Sequence, residues 1–402
     1  MMITKASLAA AITTALFSSA AMADSWSITQ TTTPGSATTM TQDGTTNGGV
    51  QAMNAMNSST ATFAGGQTSA MGSSALQLDQ AGSTQSSTQA ANYINATTVG
   101  ASGAAVTQDY TGASTITLNQ NSGTLQNNVQ SVNTTNATTI TNLTQGIGTT
   151  ATTVQLNQAN AAANTQTVNN AVAATDLTTV GQTATATSFD LNQDGAGAQT
   201  QAVNRAVGGT NVIGTVTQST TGASTMDQIG TGVSTQALSM IEGIGVSSTN
   251  QTATGATTMV QGTTGTAVGA GSIQAGNYLK STGTGVVASA TQSLGTGSDA
   301  LSFTQNDSGA GTIQAGNLMD ISSTDAAAAL TLGGQTISTT GTVTLDQNDT
   351  TTSLQAGNAI ITAGANVGGS ATQGLTAGTL LMTQTNGTGS LQAGNYLGVA
   401  PN

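Results

Sequence analysis

Val343-Thr-Leu345-Asp-Gln347-Asn-Asp-Thr-Thr-Thr-Ser-Leu354-Gln355-Ala-Gly-Asn358-Ala-Ile360 holds the pattern that decides the fold. Val343, Leu345 and Gln347 share one parity, and Thr344 and Asp346 the other. Apolar-polar alternation with period two is the mark of a strand with one face turned inward. A polar stretch then interrupts the alternation, as a turn does, and Gln355-Ala-Gly-Asn358 begins a second segment. Both segments recur along the chain. The second returns as Gln274-Ala-Gly-Asn277, Gln314-Ala-Gly-Asn317 and Gln392-Ala-Gly-Asn395. Weaker copies start at Gln51, Gln89, Gln130, Gln166, Gln201 and Gln236, giving ten copies roughly 38 residues apart, a period typical of repeat architectures.

Each copy has a second Gln upstream: Gln42, Gln80, Gln120, Gln158, Gln193, Gln228, Gln261, Gln305, Gln347 and Gln384. Two residues before each stands Leu, Met or Phe, from Met40 to Met382, without exception. A third Gln precedes these, from Gln30 and Gln67 to Gln335 and Gln373, with a less regular apolar partner two residues back. Every repeat therefore offers three strands joined by Gly, Ser, Thr and Asn turns. Along the Gln-Ala-Gly-Asn strand, strict alternation places Ile273, Ala275, Asn277 and Leu279 on one face. Gln274, Gly276 and Tyr278 fall on the other, and the sequence leaves open which face is the core.

Only 4% of the residues are charged and 2% aromatic, with no Cys and no His. Ordinary soluble domains carry about 25% charged residues. Without Cys or His there is no thiolate nucleophile, disulfide, Ser-His-Asp triad, Cys/His zinc site or haem-ligating histidine. The charge is -12, from 3 basic and 15 acidic residues, and the basic ones, Lys5, Arg205 and Lys280, form no cluster that would hold nucleic acid. Glu242 and the aspartates supply carboxyl groups for a glycosidase pair, but no acid keeps one position through the repeats. The expectation is a non-enzyme with no catalytic, cofactor-binding or metal residues, no cofactor and no small-molecule substrate.

The first 23 residues read as a secretory signal peptide: Lys5, a short apolar run through Leu16 and Phe17, and Ala21-Met-Ala23 before Asp24. Residues 24–402 then form a single repeat domain, expected outside the cell or on the surface of a bacterium.

So much Gly, Thr, Asn and Ser disfavours helices. One repeat buries too little to stand alone, whereas stacking pairs each strand with its equivalents about 4.8 Å above and below. Identical side chains then form columns, and a Gln or Asn column bonds amide to amide along the stack. The fold class expected is all-β: a β-solenoid of about ten stacked repeats with cross-β ladders. Its ladder residues are the ten upstream Gln from Gln42 to Gln384, together with Gln274, Asn277, Gln314, Asn317, Gln355, Asn358, Gln392 and Asn395. The competing reading is a disordered polar tract; the alternation and the repeats argue against it.

Val343-Thr-Leu345-Asp-Gln347 and Leu301-Ser-Phe303-Thr-Gln305, each followed after a turn by Gln-Ala-Gly-Asn, resemble the curlin repeats of bacterial functional amyloid. The repeat here is longer, with three Gln strands rather than two, and no curlin export-targeting segment separates Ala23 from the first strand at Trp26. The resemblance implies a secreted subunit of an extracellular, pilus-like amyloid fibre serving biofilm matrix, cell aggregation or surface adhesion. It also implies partners: the chain itself as a homopolymer through open solenoid ends, a nucleator subunit and an outer-membrane secretion pore. Trp26 and Tyr396 lie in the first and last strands, where unprotected edges are templates for another chain.

Asp79, Asp190, Asp194, Asp227, Asp307, Asp346 and Asp349 gather beside the middle Gln. They read as gatekeepers whose repulsion delays assembly; a calcium role lacks the Asp-x-Asp-x-Asp loop it would need. Thr183-Ala-Thr185-Ala-Thr187 and Thr115-Ile-Thr117 resemble the flat Thr rows of ice-binding solenoids, although the sequence shows no recurrence in every repeat. A monomeric β-solenoid adhesin or ice-binding protein is the alternative to the fibre.

Overall fold

The structure is a computed structural model. It describes residues 25–399 except 43–45, 82–83, 101–104, 113–114, 149–152, 163, 196, 212, 264–267, 284–286, 307–308, 324–332, 349–350, 364–370 and 386–387. The expected signal peptide, Asp307 and Asp349 lie outside the described residues.

Every regular element among the described residues is a strand, and all pair in parallel with the equivalent strand one repeat away. The chain winds as a β-solenoid with three strands to a rung. The first face stacks Ser25–Thr32 on Thr62–Gly72 and ends at Thr372–Thr376. The second runs from Thr38–Gln42 to Thr379–Gln384, and the third from Val50–Asn57 to Leu391–Gly398. Thr165–Asp194 passes through all three faces as one continuous strand, bending at the corners. Register is fixed by identity: Gln335 pairs with Gln373, Gln347 with Gln384 and Gln355 with Gln392.

The corner leading into the third face has its own chemistry. Three residues before the third-face Gln the backbone is left-handed, with φ of 69° at Gly48, 77° at Gly271, 72° at Gly311 and 71° at Gly389. Ser86, Asn127 and Thr352 hold the same place at φ of 51°, 57° and 47°. Gly, lacking a β-carbon, accepts this turn freely, while a β-branched residue such as Thr352 is strained there.

The inside of each rung is layered. One apolar column contains Val106, Leu143, Val180 and Val216 of the first face against Ile94, Ile140 and Leu279. A second, larger column holds Leu78, Leu118, Leu156, Met226, Met259, Phe303 and Leu345, the residues two before the middle Gln. The first-face Gln and the third-face Asn form a polar layer between the two. Gln108, for example, lies between Val106 of one column and Tyr110 of the other.

The third strand departs from strict alternation. Pairing runs Ala275 to Ala315 and then Asn277 to Asn317, passing over Gly276 and Gly316, and the same residue is passed over in every rung. This irregularity turns two consecutive residues inward. Gly276 faces Leu294 of the larger column, and Asn277 and Leu279 also point inside. Ile273, Ala275 and Tyr278 share the opposite side of the strand, where they are buried in an apolar cluster of their own. The single-parity assignment of Asn277 with Ala275 is therefore corrected: the parity flips at the Gly.

Candidate functional site

The amide columns are the chemically distinctive part of the molecule. Every ladder residue expected from the sequence lies in one. In the middle column each Gln donates Nε2–H to Oε1 of the Gln one rung earlier, unbroken from Gln80→Gln42 at 3.0 Å to Gln384→Gln347 at 2.9 Å. Gln274, Gln314, Gln355 and Gln392 continue a third-face column that begins at Gln51 and Gln89, with links of 2.5–3.0 Å. The first-face Gln form a third complete column, from Gln67→Gln30 to Gln373→Gln335, both 2.8 Å. The second amide hydrogen crosses the rung to a backbone carbonyl, as in Gln251 to Tyr278 O at 3.0 Å and Gln274 to Thr304 O at 3.1 Å. Buried amides so satisfied carry little desolvation cost.

The Asn column runs the opposite way. Asn54 donates to Asn92, Asn92 to Asn133, Asn133 to Asn169 and Asn169 to Asn204, all at 2.8–2.9 Å toward the C-terminal end. Asn277, Asn317 and Asn358 resume it, each 2.8 Å from the next, ending at Asn395. Ser239 interrupts the column between Asn204 and Asn277, and Ser239 Oγ and Asn277 Oδ1 are buried there without a partner.

The ends of these columns differ from the middle. Val343 is 0% exposed and Leu380, next in its column, 40%; Ile360 is 1% exposed and Leu397 59%. Most of the exposed large apolar side chains among the described residues stand on this last rung, including Leu381, Leu391 and Val399.

Outside the rungs, Asp79 accepts from Asn119 at 2.8 Å, and Asn157 donates to Asn119 at 2.9 Å. Asp190, Asp194 and Asp227 gather near a recess of about 450 Å³ beside Asn157, Gln158 and Gln193. Burial, then the charges of Asp190 and Asp194, raise the Asp227 carboxyl above its ordinary range. Among the described residues no group of three or more His, Cys, Asp or Glu is placed to hold a metal ion.

The first face stacks Thr183, Ser219 and Thr252 in one column and Thr185, Thr221 and Thr254 in another. The recurrence across these rungs was hidden by the Ser. Thr115 and Thr117 build no such row, since Thr117 stacks on Gln155 and Gln155 on Asp190.

Two features escaped the sequence reading. One is the apolar residue two after the first-face Gln: Tyr110, Ile147, Leu294 and Ile337 fill the larger column from there. The signal lay after the Gln rather than before it. The other is the direction of each ladder, which no residue pattern encodes. No family model, curated protein or solved structure matches the chain.

Proposed function

We propose that the chain is a secreted structural subunit of an extracellular amyloid-like fibre, used for biofilm matrix, cell aggregation or surface adhesion. The observation that carries this reading is the open end of the core: Leu380 and Leu397 belong to columns that are buried one rung earlier. A further parallel rung from another copy would bury them and extend every backbone and amide ladder at once. Growth is then strand addition at the solenoid ends, with the chain as its own partner and a nucleator and secretion pore as its export and initiation machinery.

The test is incubation of the purified protein beginning at Asp24. The expected result is fibres that bind thioflavin and diffract at the spacing of about 4.8 Å between strands. A monomer that stays dispersed at high concentration overturns the proposal. The alternative, a monomeric adhesin or ice-binding solenoid, draws on the stacked Thr and Ser columns of the first face. A dispersed monomer that also halts ice-crystal growth would decide for it.

A further inference from the structure

The opposed directions of the Gln and Asn columns make the two ends of the solenoid chemically unlike. At the last described rung, Oε1 of Gln373, Gln384 and Gln392 accepts no bond among the described residues, because each of these amides donates backward along the stack. Asn395 accepts from Asn358, and its own Nδ2 donates to none of the described residues. That end presents three acceptors and one donor. At the first rung the pattern inverts. Gln42 accepts from Gln80 and its Nε2 donates to none of the described residues, and Gln30 uses one Nε2 hydrogen on Ala55 O. Gln51 directs Nε2–H to Met40 O and Asp79 O, and has no earlier Gln among the described residues to donate to. Asn54 offers Oδ1, held meanwhile by Thr32 Oγ1 at 2.6 Å.

We infer that copies of the chain join in one orientation only, the first rung of one docking in register on the last rung of the next. This rests on the fibre reading and gives it a direction. In the joint, Gln30, Gln42 and Gln51 donate to Gln373, Gln384 and Gln392, and Asn395 donates to Asn54. The apolar columns match as well. Met40 falls on Met382, Met56 on Leu397, and the exposed Val50, at 41%, on the exposed Leu391, at 37%. Two last rungs brought face to face would oppose three carbonyl oxygens with three others and would turn the strands antiparallel. The resulting fibre is polar, with one end that differs from the other at every stage of growth.

The ladder direction also supplies the tools to test this. Gln42→Glu keeps the oxygen that accepts from Gln80 but replaces the outward donor with a carboxylate. Asn395→Asp likewise keeps the oxygen bonded to Asn358 and loses the outward Nδ2. Each variant therefore keeps its internal ladders and is defective at one end only. Its unfolding midpoint, compared with that of the parent, verifies that it folds.

Trace amounts of each variant are added to fluorescently marked, growing fibres of the parent chain, and both ends of single fibres are followed. A Gln42→Glu copy docks through its intact last rung onto an exposed first rung and then blocks it. Asn395→Asp blocks the opposite end. Each should slow one end by about tenfold or more, as an unpaired charged group in a dry joint implies, and the two together should stop both. Equal slowing of both ends, blockage of the same end by both variants, or no effect of either overturns the directed joint while leaving the fibre reading intact. A parent chain that forms no fibre overturns the fibre reading and the joint with it.

Discussion

Ser239 is the one place where the Asn column changes residue type. Its hydroxyl is too short to reach the neighbouring rungs. Asn204 keeps the bond to the first face that the other Asn residues make, to Ser219 O at 3.0 Å, and sends its other hydrogen to Thr220 Oγ1 at 2.9 Å. On the other side Asn277 Oδ1 receives nothing, although it is buried. A buried polar atom without a partner costs about 1–3 kcal/mol, more than a satisfied bond returns. Ser239→Asn would let Asn204 donate to residue 239 and residue 239 donate to Asn277, joining the two halves of the column. The variant should be more stable by about 1–3 kcal/mol, read as a higher denaturant midpoint. An unchanged or lower midpoint would show that the backbone of this rung does not admit the amide. The same logic explains why the amide columns were legible from composition and spacing. A buried Gln is tolerable only if the next rung supplies another, so the residue type has to repeat. The Ser of the Gln236-Ala-Leu-Ser239 copy reads as ordinary drift in an imperfect repeat, and its effect on the column appears only in the stacking.

Between the third strand of one repeat and the first strand of the next, the rule is compensation of volume. The residue after Ala in the third strand faces the residue two after the first-face Gln. Leu238 and Ala253 both belong to the larger column, one large and one small. Gly276 instead meets Leu294, where an added β-carbon would stand 2.6 Å from Leu294 Cδ2, and Gly357 meets Leu375 at 2.9 Å. At Gly316 the β-carbon would overlap Ile337 Cδ1 and lie 2.8 Å from Gly357 O. Gly316→Val therefore overpacks the column and should cost about 1–3 kcal/mol. Ile337→Ala alone leaves a cavity costing about 2–5 kcal/mol. Together they recreate the pairing of Leu238 with Ala253, so the double variant should lose clearly less than the sum of the two. Denaturation of all three proteins closes the cycle, and strict additivity would refute the pairing. This exchange explains what the sequence reading missed in the third strand. The sequence placed Gly276 on one face by parity alone, and its role depends on Leu294, a residue on the first-face strand of the following repeat. The middle strand was easier to read, because Leu345 and Gln347 turn inward without interruption and Thr344 and Asp346 outward. The irregularity at Gly276 cannot be seen in a period-two pattern, since the residues on both sides of it are apolar or amide.

Stacking ten like rungs stacks their charges too, and the chain carries 15 acids against 3 basic residues. Stacking brings acids of adjacent rungs close together even where they stand in neighbouring columns. Asp227 lies half-buried with Asp190 and Asp194 of the preceding rung pressing on it, and its carboxyl is raised, chiefly by burial and then by those two charges. Burial also raises Asp109. At Asp320 burial raises the carboxyl, Lys280 draws it down and Glu242 pushes it up again. In each case the folded chain holds the proton more tightly than the unfolded chain does. Stability is therefore gained as pH falls through the raised folded values and is complete once the unfolded carboxyls are protonated as well. It is lost as pH rises toward neutrality. The thermal midpoint of the monomer should accordingly be higher in mildly acidic buffer than at neutral pH. Asp227→Asn should raise the neutral value and flatten the difference. Added salt separates the two causes. It screens the repulsion of Asp190 and Asp194, but leaves the desolvation cost that leads at all three sites. Salt should then recover only part of what acid gives. A midpoint that falls steadily on acidification, or an Asp227→Asn variant whose pH profile matches the parent, would rule this origin out.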